Sequence, residues 1–465
     1  MPHVPDSVDD YKLGDLLARV PVRESILAAI VATFILTRLW WLLCFGALET
    51  GLTGYFAQSA QKGIDAQQTV YRDFPFEYPP VAWWLVATPR LIDSQAYPDW
   101  HVPAETALQF RSWYYGWFHV ELFLADAVCL GLIFSIGRRV GPAAEWVLPA
   151  AYTLLTVAQP FFLYDALDIA LLSFFLLSIA CWLRSLDASP AANRWAAASY
   201  LVLGLGIGFK IMPLVFVPFL LLADLRVVGG SRQMAWRVLL LSLGALGPFL
   251  IYVPSAGWGV LGLFQYHAER GINLESTWGS VLLVAAMLGA PCEVIQSHGG
   301  YDMIGQWSST LKILSSITAP SSAALLGLWA ILRGSRFDRR LALDAAILAL
   351  VNSAVLSHVY SCYYANWLLP LALLLALNTF PRSSIRWCFF VALVATILGT
   401  SSWLYPYHYS YGLATLETLP VVFGVTRSAC LVGLALLLTA GFFAKYGFVP
   451  WCVDGPASGE LSVAA

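Results

Sequence analysis

Asp73 and Glu77 lie in the stretch Tyr71-Arg72-Asp73-Phe74-Pro75-Phe76-Glu77-Tyr78-Pro79-Pro80. A carboxylate held among aromatic rings loses hydration in its charged form, so its pKa rises and it can serve as a general base. The competing reading is a solvated loop in which Asp73 pairs with Arg72 or an acid caps the next helix. Lys210 stands alone in a long apolar run, after Gly204, Gly206 and Gly208 and before Pro213. A lone charge in such a run is a functional candidate unless it merely snorkels to an interface. His267 and Arg270 share a face if their segment is helical, and such a pair can hold an anion through charge-assisted bonds. Asp165 and Asp168, at i and i+3, share the first turn of a predicted helix, where acids commonly cap or oppose the dipole. Glu275-Ser276-Thr277 reads as the cap of a following helix. The patches His358–Trp367 and Tyr405–Tyr411 suit an aromatic belt at a membrane interface, with sugar stacking as the alternative.

The elements that must position these groups are membrane helices. The chain has 465 residues, of which 59% are hydrophobic and 12% charged. Soluble domains carry roughly 25% charged residues, and here the deficit extends along most of the sequence. About twelve spans are expected, at 25–48, 113–136, 145–163, 166–184, 195–209, 211–223, 236–254, 318–332, 342–358, 363–379, 386–404 and 421–442. The segment Val81–Ile92 and the run 279–290 are too short to cross a core that needs about twenty residues, and read as re-entrant or interfacial helices. Basic clusters at Arg138/Arg139, Arg226/Arg232/Arg237 and Arg333/Arg336/Arg339/Arg340 then fall on the cytoplasmic side with both termini. The predicted organisation is a cytoplasmic tail over 1–24, a polytopic all-α domain over 25–445 with outward loops near 49–112 and 255–317, and a second tail over 446–465. Nucleic-acid binding is excluded by the lack of a basic, aromatic-interleaved patch. The eight cysteines show no metal spacing, and no Walker loop, GxGxxG or HExxH is present.

Together these motifs resemble the polytopic GT-C glycosyltransferases, and most closely the family-87 polyprenyl-phosphate-mannose-dependent mannosyltransferases. The resemblance rests on Tyr71–Pro80 followed by Ala82-Trp83-Trp84, and on Tyr266-His267-Ala268-Glu269-Arg270-Gly271-Ile272-Asn273-Leu274-Glu275-Ser276. Weaker matches are Lys210-Ile211-Met212-Pro213 and Tyr364-Ala365-Asn366-Trp367-Leu368-Leu369-Pro370. It implies a GT-C-like helical bundle in the cell membrane. It also implies transfer of a hexose, with mannose expected, from a polyprenyl-phosphate donor to a lipid, glycan or protein acceptor on the outward face. The expected step is a single inverting displacement. Asp73 is the first candidate base, with Glu77 and Glu49 beside it. Lys210, His267, Arg270 and Arg72 would hold the donor phosphate, and Tyr71, Tyr78, Glu275, Asp165 and Asp168 would add substrate contacts. No nucleotide cofactor follows, and no ligand spacing marks a metal site, although a divalent cation stays open. One departure concerns the end of the first span, Glu49-Thr50-Gly51-Leu52-Thr53-Gly54-Tyr55, where the resemblance calls for an acid near Gly51. Either Glu49 substitutes, or Asp73 takes the role, or the chain is an inactive relative. A transporter or flippase of polyprenyl-linked sugars is the reading from another class.

Overall fold

The computed structural model describes residues 20–46, 52–93, 112–159, 162–227, 230–381 and 383–448. The predicted tails, apart from residues 20–24 and 446–448, therefore lie outside the described residues, as does Glu49. Among the described residues the chain forms sixteen α-helices, with short 3-10 turns and one π-helical segment, Leu404–Leu413, among their connections. The N-terminal part holds α1 (Val20–Phe45), α2 (Thr53–Ile64), α3 (Pro80–Ala87), α4 (Trp113–Val140) and α5 (Ala144–Val157). The middle holds α6 (Asp168–Arg184), α7 (Ala192–Phe209), α8 (Val217–Val227), α9 (Ser231–Ala256), α10 (Gly262–Glu269) and α11 (Thr277–Met287). The last part holds α12 (Ser308–Leu332), α13 (Arg339–Leu356), α14 (Ala365–Thr379), α15 (Arg386–Trp403) and α16 (Thr418–Tyr446).

Seven of these elements are long and apolar enough to cross a membrane: α1, α4, α9 with its continuation to Glu269, α12, α14 with its preceding turn, α15 and α16. This is a multi-pass membrane protein. The other expected spans form α5, α6, α7, α8 and α13, which are helical but shorter or less apolar. The short run at Val81–Ile92 is α3 plus a 3-10 turn over Thr88–Leu91, and the run at 279–290 is α11.

Helices α13 and α14 form the interior. Every residue from Leu341 to Val351 and from Ala365 to Ala376 is buried. A helix buried on all sides has no solvent face and belongs inside a bundle, and α5, α6, α8, α12 and α16 pack against this pair. The packed pair α7 and α9 closes on two glycines. A Cβ on Gly204 would lie 2.3 Å from the Leu241 carbonyl oxygen, and one on Gly244 would lie 2.6 Å from that of Leu201. Small residues at such a crossing allow backbones to approach closely, and this contact fixes the helix that ends just before Lys210.

The all-α membrane bundle carries one small β insertion among the described residues. Between α10 and α12 lies a three-stranded antiparallel sheet, β1 (Ile272–Asn273), β2 (Cys292–Ser297) and β3 (Gly300–Gly305), in the order β1-β3-β2. The β2–β3 hairpin turns through His298 at φ 50° and Gly299 at φ 70°. Positive φ at both central residues is the two-residue turn whose twist suits a hairpin. Ile272, Leu282, Leu283 and Met303 bind this sheet to α11 in a small apolar core separate from the main one.

Replacing Gly204 by Val should overpack the α7–α9 crossing and lower stability by about 2 kcal/mol. Thermal unfolding in detergent, with Gly247→Val on the open side of α9 as the control, measures the difference.

Candidate functional site

The loop before α3 is rigid for reasons visible in its sequence. Pro79 and Pro80 start the helix without donors to lose. The Tyr71 hydroxyl donates to the Tyr78 carbonyl at 2.7 Å, and the Tyr71 N–H donates to the Phe74 carbonyl at 3.0 Å. Phe76 stacks on Tyr55 with ring centroids 6.3 Å apart and meets Trp83 edge-on. The loop also seats on the end of α9, where a Cβ on Gly259 would stand 2.5 Å from the Tyr71 carbonyl oxygen. These contacts turn Glu77 inward, to 9% exposure, and leave Asp73 outside.

A second part comes from the α6–α7 hairpin. Lys210 is the C-cap of α7, just past its last residue, and Asp168 is the first residue of α6. A cation at a helix C-terminus and an acid at an N-terminus each oppose the local dipole. The antiparallel hairpin brings the two ends together, and Lys210 Nζ lies 2.9 Å from Asp168 Oδ1. Trp367 Nε1, in the first turn of α14, donates to the same oxygen at 2.8 Å. Lys210 Nζ also sits 4.7 Å from the Tyr364 ring centroid and 5.8 Å from that of Tyr78.

The third part arrives from α10. His267 Nε2 donates to the Glu77 carbonyl at 3.0 Å, while Arg270 and Lys210 both act on the Glu77 carboxylate. Burial raises the Glu77 pKa above the ordinary carboxylate value, and Arg270, Tyr266, Lys210 and Tyr78 oppose the shift without cancelling it. The Tyr266 hydroxyl beside it donates to the His298 carbonyl at 2.5 Å, which ties the hairpin turn to this cluster. The result is an array of two carboxylates, Glu77 and Asp168, two fixed cations, Lys210 and Arg270, and a ring of tyrosines.

The structure brings together Glu77, Tyr78, Asp168, Lys210, His267 and Arg270 from the sequence candidates, and it separates the others. Asp73 is exposed. Its side chain pairs with Arg72 at 2.9 Å and accepts from the Thr69 N–H at 2.7 Å, and these bonds hold its pKa near 2. So acidic a group is a weak base at neutral pH. Arg72 completes this exposed pair and donates to the Ser255 carbonyl at 3.2 Å, away from the cation cluster. Tyr71 is buried as a strut within its loop. Asp165 and Asp168 do not share a helical face: Asp165 lies in the turn before α6, where it accepts from Tyr363 at 2.9 Å and from Tyr405. Glu275 is buried in an ion pair with Arg427 at 2.8 Å and accepts from Ser361 and the Cys362 N–H. Ser276, as predicted, caps α11 by accepting from the Gly279 N–H at 2.9 Å. His267 and Arg270 converge although α10 ends between them, because Arg270 is extended at φ −52° and ψ 137°. Among the described residues, no group of three or more His, Cys, Asp or Glu side chains could hold a metal ion.

Breaking a buried ion pair leaves an uncompensated charge and costs about 3 kcal/mol or more. Asp168→Asn should therefore destabilise the protein by about 3 kcal/mol. The neutral pair Asp168→Asn with Lys210→Met should recover more than half of that loss in chemical unfolding.

No protein-family model and no curated relative matches the chain. Two crystal structures of ArnT from Cupriavidus metallidurans are similar to it at low level. The structure bound to undecaprenyl phosphate aligns with a TM-score of 0.45 and 15% identity, over 90% of this chain and 78% of that one. The apo structure aligns with a TM-score of 0.40 and 15% identity, over 92% of this chain and 78% of that one.

Proposed function

We propose that this protein is an integral membrane glycosyltransferase that moves a hexose from a polyprenyl-phosphate donor to an acceptor hydroxyl. The observation that carries the reading is the burial of Glu77 beside Lys210 and Arg270. The motif resemblance to the family-87 mannosyltransferases supports mannose as the hexose and a polyprenyl chain as the carrier.

The chemistry follows from where charge must go. Glu77 takes the proton of the acceptor hydroxyl as that oxygen attacks the anomeric carbon. The bond from that carbon to the phosphate oxygen breaks, with inversion, and its electron pair leaves on the polyprenyl phosphate. The phosphate gains one negative charge as Glu77 loses one, so the net charge of the array does not change. Lys210 and Arg270 supply preorganised donors for the departing phosphate, the type of stabilisation that usually contributes most to such steps, while the Nε2–H of His267 holds the Glu77 backbone in place. A raised pKa suits Glu77 to the task, because a base is most effective when its pKa lies near the working pH. Asp73, held near 2, is assigned to loop structure instead.

The test is transfer from radiolabelled polyprenyl-phosphate-mannose by purified protein in nanodiscs, with a membrane extract as acceptor source. Glu77→Gln should lower kcat by about 100-fold or more while donor binding persists, and Asp73→Asn should retain activity. Equal activity in Glu77→Gln and wild type would sink the base assignment. The pH profile supplies an independent check. Glu77 must be ionised to act, so the rate falls as pH drops through its pKa. Because burial raises that pKa, the acid limb should lie above the ordinary glutamate value of about 4.3 and should vanish in Glu77→Gln.

A further inference from the structure

Next to the charge array, three buried polar atoms from three separate segments have no hydrogen-bond partner: Arg270 Nε just after α10, Asp302 Oδ1 on β3 and His358 Nε2 in the bend after α13. Asp302 itself is 2% exposed. Leaving one such atom unsatisfied costs about 1–3 kcal/mol, so three at one locus point to a ligand that completes them.

The sheet explains why they meet. In register, Asp302 on β3 pairs with Asn273 on β1, and the Asn273 N–H donates to the His358 carbonyl at 2.9 Å. Asp302 Oδ2 accepts from the Gly271 N–H at 2.9 Å, which places the carboxylate beside Arg270 and leaves Oδ1 over. The close approach needs the glycine, because a Cβ there would lie 2.8 Å from Oδ2. Gly300, two residues before Asp302 and on the same strand face, lies beside the Arg270 guanidinium, whose terminal nitrogen is 3.5 Å from the position a Cβ would take. Arg270 and His358 each feel the Asp302 charge. Arg270 also acts on Glu77, so this locus borders the array where the phosphate reading places the donor headgroup.

The chemistry of the three atoms selects the ligand class. A carboxylate oxygen accepts from hydroxyls, a guanidinium N–H donates to them, and an imidazole nitrogen does either. That set matches the adjacent hydroxyls of a neutral sugar ring and would serve a second phosphate poorly, because Asp302 repels anions. We propose that Asp302, Arg270 and His358 form the subsite that binds the ring hydroxyls of the transferred sugar, with Asp302 as its specificity-determining residue. This rests on the glycosyltransferase reading above. Arg270, assigned above to the donor phosphate, also belongs to this set, and that assigns the subsite to the donor's sugar and not to the acceptor's.

The experiment compares equilibrium binding of two lipids, polyprenyl phosphate and polyprenyl-phosphate-mannose, to wild type and Asp302→Asn in nanodiscs. Asparagine keeps an oxygen for the Gly271 N–H but removes the acceptor from the second position. The variant should bind the sugar-bearing lipid about tenfold more weakly, the loss expected for hydrogen bonds to a charged group. Its affinity for the bare lipid phosphate should match wild type, which also shows that the variant is folded. Equal weakening for both lipids, or no weakening for either, overturns the subsite. Unchanged donor binding with a raised KM for a sugar acceptor moves the three groups to the acceptor side and overturns the assignment. Failure of wild type to bind either lipid overturns the glycosyltransferase reading itself.

Discussion

The site depends on keeping Lys210 and Asp168 charged where little water reaches them. Burying either ion alone is prohibitive, and together they persist because each lies at the helix end whose dipole favours it. Trp367 then fixes the carboxylate from the central helix α14, and Tyr364 offers its ring face to the ammonium. Glu77 joins this arrangement from a proline-stiffened loop, and Arg270 joins it from the end of α10. Each group is held by a different element, so the array records how α6, α7, α14 and two loops are packed together.

A net-neutral array of this kind suits a reaction that moves one charge from a base to a leaving group. The cations are already compensated at rest, so they need no counter-ion from solvent. The sheet between α10 and α12 extends the same logic, because its strands carry Asp302 to Arg270 and its turn is tied to Tyr266. A small sheet with its own apolar core can hold such groups more rigidly than a loop of the same length.

Much of this was legible in the sequence. Apolar run length gave the helices, and prolines 75, 79 and 80 gave the stiff loop. Lys210 stood out because a lone charge in an apolar run needs a partner. The partner was less visible: Asp168 looked like a companion of Asp165, and only the α6–α7 hairpin shows that the two acids face different clusters. Asp73 and Glu77 could not be ranked by spacing, since four residues of proline-rich loop do not reveal which side chain turns inward. The sheet left a signal that helix length had obscured, namely β-favouring residues on both sides of Ser297-His298-Gly299-Gly300. Asp302 carries no signal apart from that hairpin, and in the sequence His358 reads only as part of an aromatic belt. Glu275 passed for a cap residue, and its buried arginine, Arg427, lies on a helix far along the chain.

In the proposed reaction Lys210 and Arg270 hold the phosphate of a polyprenyl lipid, and Glu77 serves the acceptor hydroxyl across the anomeric carbon. The most direct test of this arrangement is an experimental structure of the full chain in nanodiscs with bound polyprenyl phosphate. Phosphate density is expected within hydrogen-bonding distance of Lys210 Nζ and the Arg270 guanidinium. Phosphate density elsewhere on the protein, with Lys210 still paired only to Asp168, would contradict it.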